Sequence, residues 1–338
     1  MKRKWIKWVS WVILTPILLF VVLMILLYVP PVQNFLRKQA TAYASQVTGM
    51  QINVGRIDLR FPLNLLVRDV EVIQVPDTLL TLASLNVHVQ AMPLFKGKIE
   101  VDDITIQRVA VNSANLIEGM QIRGVLGRFF LESHGVDLGN ELAVINRAEL
   151  SDTHIGLILT DTTTTEKPDT ASAPVNWKVN LHALNLKNVS FSMQLPADSM
   201  RMAAHVGEAT VNDVSADLKQ QFYGLRSFLL TGASVNYDTG NALPAEGFDP
   251  SHIALRDIRI GIDSVLYQGR NMNAVIREFS MNERSGLSVT SLTGRVFADS
   301  TLIRVPYFRL LTPHSEMNLT AQTCLLYTSP SPRDTERS

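Results

Sequence analysis

The sequence predicts a mainly β protein: an N-terminal transmembrane helix and a short amphipathic helix, followed by an elongated, curved antiparallel β-sheet. Three observations predict this fold. Residues 8–36 contain no charged side chain, residues 32–47 have helical apolar spacing, and apolar and polar residues alternate in many segments after residue 49. Alternation with period two is typical of strands with one apolar and one polar face.

Residues 1–31 are predicted to be a basic leader and a transmembrane helix. The run from Trp8 to Val29 is uncharged and long enough to cross a hydrocarbon core of about 30 Å. Basic residues precede it, which predicts a cytoplasmic N-terminus and a body outside the cytoplasm. A cleaved signal peptide is the alternative, but it has a shorter apolar core followed at once by a small-x-small site. The nearest such site, Ala40-Thr41-Ala42, lies inside the next helical segment, so we expect a retained anchor.

Residues 32–48 are predicted to form an amphipathic helix that stops at Gly49. Such a helix could lie on the outer leaflet or cap the end of the following sheet, and capping is the favoured use. The predicted apolar stripe is Val32, Phe35, Leu36, Gln39, Ala40, Tyr43, Ala44 and Val47, with only Gln39 polar.

The β-rich body is divided by a threonine-rich stretch. Residues 160–174 contain six threonines and a Lys-Pro-Asp sequence, which is typical of a surface loop or linker. We therefore expect two groove segments, residues 49–159 and residues 175–322.

A short pattern recurs in the body: apolar, any residue, Asp or Asn, apolar, any residue, apolar. The apolar positions change parity across it, and a β-bulge with one extra residue would keep one face apolar. Asp and Asn tolerate the unusual backbone angles of a bulge. A tight turn between two short strands is the alternative. The predicted bulge positions are Asp69, Asp103, Asn188, Asp213 and Asp257.

A sheet with one apolar face must cover that face or offer it to a ligand. It can fold over as a sandwich or barrel, or leave a groove open to an apolar ligand such as a lipid, and the sequence does not choose between these. Each methylene of an acyl chain withdrawn from water gains about 0.8 kcal/mol. The candidate groove residues are Val70, Val72, Val87, Val89, Ile104, Ile106, Val189, Phe191, Ile258, Ile260 and Ile262.

Other classes of function are disfavoured by composition and motifs. Basic and acidic residues number 31 each, so no basic excess points to nucleic acid. The seven histidines are scattered singly, and His88 is expected to be a solvated residue on a polar strand face. No catalytic or metal-binding motif is present, so we expect neither an enzyme nor a cofactor nor a metal site. The lone Cys324 excludes structural disulfides and cysteine-ligated zinc.

The C-terminal residues 323–338 are expected to be foreign to the fold. From Cys324 to Asp334 the sequence resembles the translation of a sequencing adapter, which would mean that the natural reading frame continues differently.

Several segments resemble the N-terminal region of the TamB proteins, within the AsmA-like group. The membrane helix is followed by Val29-Pro30-Pro31-Val32-Gln33, then by residues 48–57, and Pro93 to Ile99 leads into a repeat copy; residues 279–287 and 310–317 look like further pieces of these proteins. The resemblance implies a bacterial inner-membrane protein with a periplasmic β-taco groove. It also implies a role in phospholipid transport to the outer membrane, or in the assembly and secretion of outer-membrane proteins with an Omp85-type barrel partner. The family region associated with that partner is expected to be missing from this chain.

Overall fold

The computed structural model describes residues 29–61, 63–90, 101–113, 116, 119–137, 141–160 and 176–324. The chain divides into two compact units between Val109 and Ala110. The predicted membrane span before residue 29 and the threonine-rich stretch 161–174 lie outside the described residues. Among the residues that are described, no helix has the length and apolar character needed to cross a bilayer.

The first unit consists of one helix followed by strands. Helix α1 (Pro30–Thr48) precedes β1 (Gln51–Arg60), β2 (Asn64–Gln74) and β3 (Asp77–Val89), and β4 (Val101–Asn112) runs across the boundary between the units. Strand β2 pairs antiparallel with β1 and with β3. The mainly β prediction is therefore correct for this unit.

Helix α1 lies against β1. Its first turn begins with Pro30, whose fixed φ suits the start of a helix. Gly49 ends the helix at φ 68°, a left-handed conformation that glycine adopts without strain, as the sequence predicted. The side-chain amide of Gln33 donates to the carbonyl of Leu59 at 2.9 Å, which ties the helix to the strand.

The second unit contains eleven strands. Contacts between its strands are mainly those between hydrogen-bonded neighbours, so its described residues form a single layer. A 3₁₀ turn (Pro196–Asp198) joins β7 to β8. The strands are β5 (Met120–Asp137), β6 (Leu142–Leu159), β7 (Lys178–Leu195), β8 (Met200–Asp217), β9 (Phe222–Asp238), β10 (His252–Gln268), β11 (Asn271–Glu283), β12 (Ser288–Val289), β13 (Ser291–Ala298), β14 (Leu302–Leu311) and β15 (Glu316–Cys324).

One sequence prediction about this sheet needs correction. Strands β6 and β7 pair in parallel, with Leu142 opposite Lys178 and Ile158 opposite Gln194, whereas the sequence predicted an antiparallel sheet throughout. Alternation of apolar residues shows which side chains share a face, but it carries no information about the direction of the neighbouring strand. The other paired strands of this unit are antiparallel. Strand β15 ends at Cys324, and residues 325–338 of the predicted foreign tail lie outside the described residues.

The recurring pattern marks positions where the backbone turns left-handed. Four of the five predicted bulge residues, Asp69, Asn188, Asp213 and Asp257, have φ between 48° and 53°. Around Asp69 the pairs Val54–Val70 and Arg56–Arg68 follow without a slip, so no extra residue is inserted there. The register is likewise continuous around Asn188 and Asp213. At these three positions a bulge with an extra residue is therefore the wrong description.

Asp257 and Asp103 differ from the other three positions. Between Leu255 and Ile258 the register of β10 shifts by one residue against β9 and shifts back by Ile260. Between Arg256 and Arg259 it also shifts by one residue against β11, so the pairing is irregular here, as at a bulge. Asp103 is not left-handed; in β4 the left-handed residue is Arg108, with φ 50°. Arg108 lies in the sequence after Ile104 and Ile106, which have even numbers, and before Val109 and Val111, which have odd numbers.

In the second unit the left-handed residues of several strands, and the glycines that lie opposite them, form a line across the sheet, which we call the kink row; Gly127 and Gly207 are not left-handed themselves. Asp152 lies opposite Asn188, because Ser151 pairs with Lys187 and Thr153 with Val189. The Asn188 amide donates to the Asp152 carboxylate at 2.8 Å. From β5 to β9 the apolar positions of neighbouring strands change parity together, so the pairing is continuous across the row and the same face stays apolar, whereas β10 shifts its register at Asp257. The kink row consists of Gly127, Asp152, Asn188, Gly207, Gly232 and Asp257.

Candidate functional site

One face of the second unit is apolar across successive strands. Beside the kink row, Ile155 pairs with Phe191, Phe191 with Ala204, and Ala204 with Val235. On the other side of the kink row, Leu150 pairs with Leu186, which pairs with Ala209. The apolar residues of each strand change between even and odd numbers at the kink row. The residues on its two sides therefore lie on the same face of the sheet. The second set continues through Leu230 and Ile260 to Phe279.

Burial on this face falls on small side chains. Ala148, Ala209 and Ala233 are buried, and Ile258 is 6% exposed, whereas Ile155 is 44% exposed. Among the described residues no large side chain is completely buried. The larger apolar groups thus shield the alanines between them, and apart from Ile258 most of them keep part of their own surface exposed. The apolar face is open.

The size of this face decides how it should be interpreted. Strands β5 to β10 have 17 or 18 residues each. At about 3.3 Å per residue and about 4.8 Å between strands, six such strands present a face on the order of 1,300 Å². The largest apolar patch of an ordinary soluble monomer is roughly 300–600 Å². A patch of this extent is typical of an interaction surface.

The groove candidates of the second unit all lie on this face. Phe191 belongs to the row described above, and Val189, two residues before it, points the same way. Ile260 pairs with Leu230, and Ile262 pairs with Phe228, two residues earlier on β9. Ile258 pairs with the buried Ala233.

The candidates of the first unit also share one face of their own sheet. Val70 pairs with Val54 and Leu82, and Val72 pairs with Ile52 and Leu80. Beyond the left-handed Asp69, the parity change puts Val87, opposite Leu65, on that same face. Val89 alternates with Val87, and Ile104 and Ile106 lie on the side opposite to Asp103.

The other face of each sheet carries polar contacts. His88 lies on this face with its side chain 40% exposed, in agreement with the expected solvated position, and its ring also contacts the Asn64 amide at 2.6 Å and the Asp103 carboxylate at 2.7 Å. In the second unit Asp213 lies 3.0 Å from His182 and 2.6 Å from Arg226. The hydrogen bond from His182 and the charge of Arg226 lower the pKa of the Asp213 carboxyl. Polar and apolar chemistry are thus segregated between the two faces.

A buried polar cluster fixes the loop before β10. The Asp249 carboxylate accepts hydrogen bonds from the backbone N–H groups of Ala245 at 3.0 Å and Ser251 at 2.9 Å. It also contacts His252 Nδ1 at 2.9 Å, and the His252 side chain is only 7% exposed. These donors lower the pKa of Asp249 to about 2. The cluster fixes the loop between β9 and β10 and is not part of the apolar face.

This cluster predicts an acid-sensitive stability. The pKa of Asp249 is lower in the folded protein, about 2, than its unfolded value near 4. Its contribution is therefore complete above pH of about 4 and is lost as the pH falls towards about 2. We expect the denaturant midpoint of the detergent-solubilised protein to fall over this interval, and Asp249→Asn to have a lower midpoint at neutral pH with a flatter acid limb. An unchanged acid limb in the variant would contradict this assignment.

Sequence reasoning missed part of the kink row. Asp152 has the same left-handed backbone as Asn188, but Thr153 follows it where the pattern requires an apolar residue. Gly127 does not match the recurring pattern, because it is a glycine and not Asp or Asn. A search that accepted Thr as apolar, and that looked for a glycine opposite each Asp or Asn, would have found both positions.

Comparison with family models of known proteins finds no match for this chain, and comparison with curated proteins finds none either. Within the part of the chain that the structure describes, no group of three or more His, Cys, Asp or Glu side chains could hold a metal ion. The open apolar face is the candidate site because of its extent and its chemistry.

Proposed function

We propose that this chain is a bacterial inner-membrane protein, anchored by one N-terminal span, whose periplasmic β-sheet binds phospholipid on its apolar face and takes part in lipid transport to the outer membrane. The observation that carries the proposal is the open apolar face of β5 to β10, which stays apolar across the kink row. Acyl chains gain free energy on such a surface, and their headgroups remain in water at its rim.

The chemistry of the two faces favours a lipid over a polar ligand. The apolar face consists of aliphatic, alanine and phenylalanine side chains in aligned rows, whereas ion pairs such as Lys187–Glu208 lie on the opposite face. Rows of aliphatic groups offer dispersion contacts along an extended chain but no fixed pattern of donors and acceptors. They suit acyl chains of varied length rather than one defined polar molecule. No catalytic role is proposed.

Site-specific photo-cross-linking tests this proposal. A photoreactive phenylalanine analogue at Phe191 lies on the apolar face, and the same analogue at Gln194, three residues along β7, lies exposed on the other face. In cells we expect phospholipid adducts from position 191, with little or none from position 194. Equal labelling at both positions, or none at either, would overturn the proposal. Adducts with unfolded outer-membrane proteins alone would favour an assembly scaffold instead.

A further inference from the structure

Helix α1 is tied to its sheet by hydrogen bonds of polar side chains. In addition to Gln33, Arg37 donates to the backbone carbonyl of Val54 at 3.2 Å, and the Ser45 hydroxyl accepts from the N–H of Ile52 at 3.1 Å. These three residues are spaced by four and eight, so they lie along one side of the helix. The capping contact therefore uses the polar side.

The opposite side of α1 is apolar and exposed. Phe35 is 59% exposed, Tyr43 71% and Val47 66%. Their spacing of eight and four residues puts them on one stripe, which we call the aromatic stripe. At 100° per residue its centre lies well over 100° from that of the polar side. The stripe is thus unpartnered in the described chain, although it contains the largest apolar side chains of the helix.

We propose that the aromatic stripe lies in the interface of the lipid bilayer, so that α1 is held between the membrane on one side and β1 on the other. This inference rests on the membrane anchorage in the proposed function. Residues 8–29 carry no charge, and α1 begins at Pro30, directly after that run. If the run crosses the bilayer, the first turn of α1 is at headgroup level.

The side chains of the stripe suit that position. Aromatic residues are enriched at membrane–water interfaces, where the ring is in apolar surroundings and the tyrosine hydroxyl remains hydrated. Lys38 is exposed on α1, and a lysine stem can cover apolar surface while its ammonium reaches the phosphates. A helix of 19 residues is roughly 28 Å long, so both Phe35 and Val47 can reach the same surface if the helix lies flat. The consequence is that β1, which follows α1 in the chain, starts beside the bilayer.

Depth-dependent fluorescence quenching tests this inference in the full-length chain. With Cys324→Ser as background, single cysteines replace Phe35, Tyr43 or the exposed control residue Asn34, and each is labelled with an environment-sensitive dye. The protein is reconstituted into phosphatidylethanolamine–phosphatidylglycerol vesicles containing a doxyl-labelled lipid. We expect a blue-shifted emission at 35 and 43, with quenching about twofold or more stronger than at 34. Circular dichroism and resistance to carbonate extraction confirm that each variant is folded and inserted.

Equal quenching at all three positions would overturn the inference. Blue-shifted emission at 35 and 43 without lipid quenching, lost when the protein is diluted in lipid, would overturn it in favour of contact between two copies. The test is separate from that of the proposed function: quenching at 35 without lipid adducts at 191 would retain the membrane-bound helix and reject lipid binding by the sheet.

Discussion

Replacing Gly127 by alanine is expected to destabilise the second unit by about 1–3 kcal/mol, a typical cost of overpacking. A Cβ at position 127 would lie 2.7 Å from the Cβ of Asp152 and 2.8 Å from its carbonyl oxygen. Neither atom can move freely, because the left-handed Asp152 is paired on both sides, to β5 and β7. The denaturant midpoint of the detergent-solubilised protein measures the effect.

Gly224→Ala is the matched control for Gly127→Ala. Gly224 also lies in a strand, but the nearest atoms to an added Cβ are ring carbons of Phe222 at 3.4 Å, an ordinary contact. We expect the control to change the stability by less than about 1 kcal/mol. Adding Asp152→Gly to Gly127→Ala removes one of the two clashes, so the double variant should recover part of the loss. Equal losses in both single variants would show that the kink row imposes no special constraint at position 127.

Many of the strands could be predicted from the sequence, because the alternation of apolar and polar residues shows which side chains share the apolar face. In β7, Leu184 and Leu186 have even numbers whereas Val189 and Phe191 have odd numbers, and that change predicted an irregular position at Asn188. The prediction of one extra residue failed for a physical reason. A bulge is needed when one strand changes parity against a neighbour that does not; here the neighbours change together, and a left-handed residue suffices.

The rest of the site depends on neighbours that the local pattern cannot specify. Asp152 and Asn188 are 36 residues apart in the chain, and their contact follows from the parallel pairing of β6 with β7. Likewise, His182 and Arg226 meet at Asp213 from two different strands. The sequence pattern singled out Asn188 and Asp213, but it did not identify Asp152, His182 or Arg226 as their partners. Only the register of the sheet joins them into rows.

The same limit applies to α1. The helical spacing predicted the helix and its stop at Gly49 correctly, but it did not show which side of the helix would contact the sheet. The structure uses Gln33, Arg37 and Ser45 for that contact, because the edge of β1 offers backbone carbonyls and an N–H group that require hydrogen-bonding partners. The polar side of α1 provides hydrogen bonds to the backbone groups at the edge of β1, and the aromatic stripe remains exposed.

The largest functional effect is expected from a charge on the open face. Phe191→Glu places a carboxylate in the row with Ile155 and Ala204, where acyl chains would lie. Covering an unpaired carboxylate with hydrocarbon costs several kcal/mol, so the charged row should repel the lipid chain. We expect phospholipid recovered with the purified protein, measured by mass spectrometry, to fall by about tenfold or more, since about 1.4 kcal/mol already gives a factor of ten.

Gln194→Glu is the control, because it adds the same charge to the same strand on the other face. Phe191 is half-buried in an open layer, so its carboxylate can still reach water in the lipid-free protein, and we expect both variants to insert and fold with unchanged circular dichroism. Only the variant at 191 should lose lipid and impair the outer-membrane barrier. If both variants retain lipid, acyl chains do not lie on this face. If both lose it equally, net charge rather than the identity of the face controls binding, and the apolar rows need a different explanation.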